Sequence, residues 1–150
     1  MSDPRHDLIM LRKVLTTDAW VCFAYAVIVV AWADTLAHSL IDADRMRRSI
    51  DAAEWLQLLG AFVFGMGVYA VWTCAGWPRR IAHVRTIIAV EVLWCTGCIV
   101  LLTTDALPLT VAGNLAVIAS GVGVSIFLVA ELWGYLAVHR VPSTRCNAAT

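Results

Sequence analysis

Three carboxylates stand inside otherwise apolar stretches of this chain: Asp18, Glu91 and Glu131. An acid near the centre of a membrane span costs on the order of 2.5 to 3.5 kcal/mol on insertion scales, so such a residue turns toward protein rather than lipid. Counted at about 1.5 Å per residue from the cytoplasmic ends of the expected spans, all three lie roughly 6 to 12 Å inside the membrane. Three helices are thus expected to bring their acids to one level, with Glu91 the deepest. Like charges that close do not all ionise, so some keep a proton at neutral pH. This is the pattern of a proton- or cation-coupled site, or of a pocket for a small amphipathic molecule. The plainer alternative has Asp18 and Glu131 meeting water, Lys13, Arg85 or Arg140 near the interface, while Glu91 makes one interhelical hydrogen bond.

The second candidate is Cys95-Thr96-Gly97-Cys98, in the same apolar run as Glu91. At about 100° per residue Glu91, Cys95, Cys98 and Leu102 share one helix face. The motif resembles the Cys-x-x-Cys of quinone-coupled disulfide-forming enzymes and of vitamin K epoxide reductase relatives. Those enzymes relay electrons through a second cysteine pair in an outer loop, and both expected outer loops here lack cysteine. Cys95 and Cys98 are expected in the outer half of their span, whereas Cys22 and Cys74 belong to the inner half and Cys146 to the cytoplasmic tail. A thiolate also forms poorly in apolar surroundings. The pair therefore reads first as small packing residues, then as redox thiols, then as soft-metal ligands assisted by Glu91. The four histidines, at positions 6, 38, 83 and 139, offer no pair at one depth for a haem. No Ser/His/Asp triad or metalloprotease motif is present. No catalytic residue is assigned, and the residues name no cofactor.

The elements that must carry these groups follow from hydropathy. The 150 residues are 61% hydrophobic and 15% charged, with a mean hydropathy of +0.78. A soluble domain carries about a quarter charged residues. Four apolar runs, approximately 14–38, 55–77, 83–103 and 109–138, each reach the roughly 20 residues that cross a bilayer. The expected fold class is therefore all-α: an integral membrane antiparallel four-helix bundle in one domain, flanked by a segment 1–13 and a tail 139–150. Net charge is zero, which favours no nucleic-acid partner. Arg5, Arg12, Lys13, Arg79, Arg80, Arg85, Arg140 and Arg145 fall on one side; Arg45, Arg47 and Arg48, diluted by acids, fall on the other. The positive-inside rule then makes both termini cytoplasmic. Ten arginines against one lysine fit a GC-rich bacterial genome, and the expected location of the four-helix protein is the bacterial inner membrane. Ala31-Trp32-Ala33 has the form of a signal-peptide cleavage site, but the apolar run continues past it, and a retained anchor is the expectation.

Asp51 and Glu54 form a capping pair that should start the second helix near residue 52. Trp77-Pro78 ends it, and Pro108 precedes the fourth. Trp32 and Trp55 on one side, with Trp77 and Trp133 on the other, match interfacial belts. The loop from 39 to 54 reads as an amphipathic turn on the headgroups or a docking surface. Four stripes should make the buried seam: Asp18, Cys22, Tyr25 and Val29; Gly60, Phe64, Gly67, Val71 and Cys74; the Glu91 face; and Gly113, Ala116, Ser120, Gly123, Phe127, Glu131 and Gly134. The last is rich in small residues of the kind that let membrane helices approach closely.

Two passages, "WPRRIAHVRTIIAVEVLW" and "LPLTVAGNLAVIASGVGVSIFLVAELWGYLAVHR", resemble a group of small bacterial four-span membrane proteins without assigned function. The shared features are a Pro-Arg-Arg turn, a polar residue three before a Trp in span three, a Leu-Pro-Leu-Thr entry to span four and an acidic or amide residue near its inner end. They extend loosely over residues 12–140. In that group the span-three polar position is usually Asn, where this chain has Glu91; the resemblance implies interhelical hydrogen bonding there and supplies no activity. The expectation for function is a non-enzymatic inner-membrane protein with the lipid bilayer as its surroundings, serving as an accessory subunit of a larger membrane complex or as a homo-oligomer. The alternatives are a small proton- or cation-coupled transporter using Glu91 and a thiol redox enzyme using Cys95 and Cys98.

Overall fold

A computed structural model of the chain describes residues 4–41, 52–77, 79–104 and 107–139, with side chains from 8 to 138. The Asp51 cap, the arginines at 45, 47 and 48, Pro78, Asp105, and the tail residues Arg140, Arg145 and Cys146 lie outside the described residues. The described chain is all-α, with four helices long and apolar enough to cross a membrane. In order they are α1 (Pro4–Ala31), α2 (Ala33–Leu40), α3 (Ala52–Ala75), α4 (Val84–Thr104) and α5 (Val111–His139), with a 3₁₀ turn at Ile81–His83 before α4. The architecture is a four-helix membrane bundle, α2 being a short continuation of α1 beyond a break at Trp32.

The first helix departs from its expected limits. It begins at Pro4 rather than near 14 and breaks at Trp32 rather than running on to 38. The early charges hid its first turns, because Arg12 and Lys13 point outward while Leu11 and Leu15, one turn apart, are fully buried. At the other end α2 is tied to the start of α5. Thr110 N–H donates to Leu40 O at 2.9 Å and its hydroxyl donates to Ser39 O at 2.7 Å. The same hydroxyl accepts the N–H of Gly113 at 3.1 Å, so Thr110 caps α5 while holding α2.

α1 is the centre of the packing. It lies most extensively against α3 and also along α5, α5 in turn carries α4, and α3 touches α4 only lightly. Small residues explain the α1–α3 contact: a Cβ on Gly67 would lie 2.9 Å from the Phe23 ring, and one on Gly60 3.3 Å from Ala26 O. The buried ridge of α3 is therefore Ala53, Gly60, Val63, Gly67, Ala70, Thr73 and Cys74. Phe64 and Val71, expected in that ridge, are 50% and 45% exposed. The close approach leaves no room for their bulk, and Phe64 flanks the contact against Phe23 at 5.1 Å between ring centres.

The main apolar core gathers where the N-terminal turns of α1, the end of α3, the start of α4 and the end of α5 meet. Leu11, Leu15, Ala19, Ala70, Cys74, Val84, Ile87 and Tyr135 form it. This end also carries Lys13, Arg79, Arg80 and Arg85 and is called the basic end below. The outer surface is apolar, with Trp20, Leu93, Val111 and Trp133 each at least 70% exposed. In water such a surface would drive aggregation; against acyl chains it costs nothing.

Candidate functional site

Three helices deliver one carboxylate each to a single point. Asp18 comes from α1, Glu91 from α4 and Glu131 from α5, and one oxygen of each lies within 4.8 Å of the others. Counted from the apolar-segment ends at Leu8, Ile81 and Val138, Asp18 and Glu91 are each ten residues in and Glu131 seven. Those counts correspond to depths of about 15 Å and 10 Å. Asp18 is thus as deep as Glu91, against the expectation that Glu91 is deepest, because α1 starts earlier than hydropathy alone indicates.

Glu131 is fully buried and Glu91 only 7% exposed. Both Glu131 oxygens and Glu91 Oε2 have no hydrogen-bond partner among the described residues. Among the described residues, Asp18 receives the weak thiol of Cys22, 3.8 Å away on the same helix. Arg85, expected as a neutralising base, instead donates to Tyr135 Oη and sits 5.6 Å over that ring. Two unit charges within 4.8 Å repel by about 3 to 4 kcal/mol even at an effective dielectric near 20. Full ionisation of all three therefore requires a cation, and otherwise protons must be shared. An oxygen-only donor set of this kind accepts protons, hard metal ions or an ammonium group.

A cavity of about 370 Å³ adjoins the cluster. Asp18 and Glu91 stand in its wall, together with Tyr25, Phe62, Trp94 and Phe127, while Glu131 is sealed behind them. A second cavity of about 360 Å³ shares Tyr25, Phe62, Trp94 and Ser120 with the first and continues to Leu40, Ile41 and Leu109, away from the basic end. On the basic side the acids meet the packed core around Leu11, Leu15 and Tyr135. Among the described residues, both cavities thus reach the acids from the side away from the basic end.

The α5 stripe corrects an expectation. Its ends pack as small residues do: Gly113 meets Leu40, and a Cβ on Gly134 would come to 3.0 Å from Leu11. Its middle does not, since Ala116, Ser120, Gly123 and Phe127 line the first cavity, and a Cβ on Gly123 would meet nothing within 4 Å. Helix α4 instead rests one face over. Trp94 Nε1 donates to Ser120 Oγ at 3.0 Å, and Cys95 Sγ lies 3.4 Å from Ser125 Oγ. Cys98 packs on Gly121, 3.4 Å from the position its Cβ would occupy.

Cys95 and Cys98 are free thiols at this α4–α5 contact, and the cluster of prospective ligands contains neither of them among the described residues. His83 accepts or donates at 2.8 Å with Tyr69, and His38 is exposed. The cavity residues Phe62, Met66 and Trp94 lay off the expected stripes. Trp94 carried a signal that could have found it: an indole N–H inside a span needs an acceptor. No family model, curated protein or solved structure matches the chain.

Proposed function

We propose that this protein is a small cation carrier of the bacterial inner membrane, which exchanges its cation for protons at Asp18, Glu91 and Glu131. The observation that carries this reading is the convergence of three buried carboxylates, from three helices, on one point beside a cavity. A structural hydrogen bond needs one acid and one partner; here Glu91 Oε2 and both oxygens of Glu131 have none among the described residues. Protons or a cation satisfy them equally, and that is the exchange.

A monovalent cation displaces one proton and a divalent cation two, so the cycle stays electroneutral at the site. By the positive-inside rule, the basic residues that the sequence sets beside the first span, in the α3–α4 turn and after the fourth span support a cytoplasmic position for both termini. The described conformer then presents the site away from the cytoplasm, with the core around Leu11 and Tyr135 closing the other path.

The test is proton movement in proteoliposomes loaded with a pH-sensitive dye, challenged with Na⁺, K⁺, Ca²⁺ and organic ammonium ions. Cation-dependent proton flux that Glu91→Gln abolishes supports the carrier. If no cation moves protons and a larger protein co-purifies in fixed ratio, the accessory-subunit reading replaces it.

A further inference from the structure

Resting on the carrier reading above, we infer that the cation is the charged head of a lipophilic organic cation. It is an ammonium bearing an aromatic or branched apolar body, and the body lies in the cavity beside Asp18 and Glu91. A bare metal ion and an organic cation ask for different surroundings. Na⁺ or Ca²⁺ gives up a hydration shell and needs about six to eight oxygens in return. Beyond the acids, the side chains lining the first cavity offer only the hydroxyls of Tyr25 and Ser120, the latter already accepting from Trp94, and most of the remaining wall is apolar, including Phe62, Met66, Val90 and Phe127. An ammonium with an apolar body needs the reverse, a few acceptors at one end and a water-poor pocket for the rest.

The room fits such a molecule. The cavity of about 370 Å³ falls in the range of small-molecule sites, and its continuation extends the space for a longer body. Trp94 and Phe62 stand in the same wall as the acids, where ring faces attract a cation already desolvated by entry. The space exists because α5 presents Ala116, Ser120 and Gly123 there. Entry from the bilayer is open: α3 and α4 barely touch, and Phe62, which lines both cavities, and Leu93, which lines the second, are 51% and 71% exposed on the lipid-facing surface.

The experiment is equilibrium dialysis of radiolabelled benzyltrimethylammonium against the full chain purified in mild detergent, with proton release recorded in weak buffer. Neopentylbenzene, the neutral molecule of the same shape, is the competitor, and Na⁺ and Ca²⁺ are run in parallel. The inference expects saturable binding with proton release, no competition by neopentylbenzene, and at least a tenfold loss of affinity in Glu91→Gln. Gly123→Leu, which puts bulk into the cavity and leaves all three acids in the sequence, should lose binding to the same extent, whereas Gly123→Ala, whose Cβ meets nothing within 4 Å, should keep it. Ala116→Leu repeats the filling test from another position. If Na⁺ or Ca²⁺ releases protons and benzyltrimethylammonium does not bind, the carrier stands and the inference falls. If no cation releases protons, both fall. Binding undiminished in folded Gly123→Leu and Ala116→Leu places the cation elsewhere and also overturns the inference.

Discussion

Trp94, three residues beyond Glu91 on α4, donates its indole N–H to the hydroxyl of Ser120 on α5. That bond fixes the rotation of α4, and with it the direction in which Glu91 points. Interhelical hydrogen bonds in membranes average about 0.6 kcal/mol and reach about 1.7. Trp94→Phe and Ser120→Ala should each cost about that much, and the double variant should cost little more than either alone. Reversible unfolding in mixed micelles measures it; fully additive losses would mean that the two side chains act independently.

Glu131 should lower the stability of the protein that carries it. It is fully buried with both oxygens unpartnered among the described residues, and a buried polar group without a partner costs about 1 to 3 kcal/mol. Glu131→Leu, close in volume, is expected to raise unfolding stability by about 1 kcal/mol or more while removing cation-dependent proton release. A less stable Glu131→Leu would show that the carboxylate is satisfied in the native membrane.

The α1–α3 contact can be probed with two glycines on one helix. A Cβ on Gly67 would sit 2.9 Å from the Phe23 ring, and one on Gly65 would meet nothing within 4 Å. Gly67→Ala should therefore destabilise, by about 1 to 3 kcal/mol for overpacking. Gly65→Ala should be neutral or stabilise by up to about 1 kcal/mol through helix propensity. Equal effects at the two positions would contradict the packing of α1 on α3.

Cation binding should strengthen as pH rises. Protons and the cation compete for the oxygens of Asp18, Glu91 and Glu131, so each proton removed from the unliganded cluster leaves one fewer to displace. By linkage, the slope of log affinity against pH equals the number of protons released per cation, and affinity levels off once none remains. Affinity measured across pH in wild type and Glu91→Gln checks this; a flat wild-type profile would separate the cation from the acids.

Much of this arrangement is legible in the residues. Four apolar runs fix four helices because nothing else satisfies the backbone in lipid, and the cost of Asp18, Glu91 and Glu131 in hydrocarbon directs them inward. What residue spacing does not carry is the distance between helices. The α5 stripe of small residues reads equally as a close contact and as the wall of a void; only the position of α4, set by Trp94, Cys95 and Ser125, decides between them. The early start of α1 was hidden for a related reason. Its charged turns average out in a hydropathy window, although the four-residue spacing of Leu11 and Leu15 records the buried face.

The packed layer of Leu11, Leu15, Ile87 and Tyr135 beneath the acids makes the interior a cul-de-sac rather than a conduit. On the carrier reading, a cation that reaches Glu91 meets this layer of buried side chains, so a planar bilayer holding the protein should give no unitary currents at any voltage. Turnover of the proposed carrier would then proceed one helix rearrangement at a time, at the pace of a moving bundle rather than of a pore.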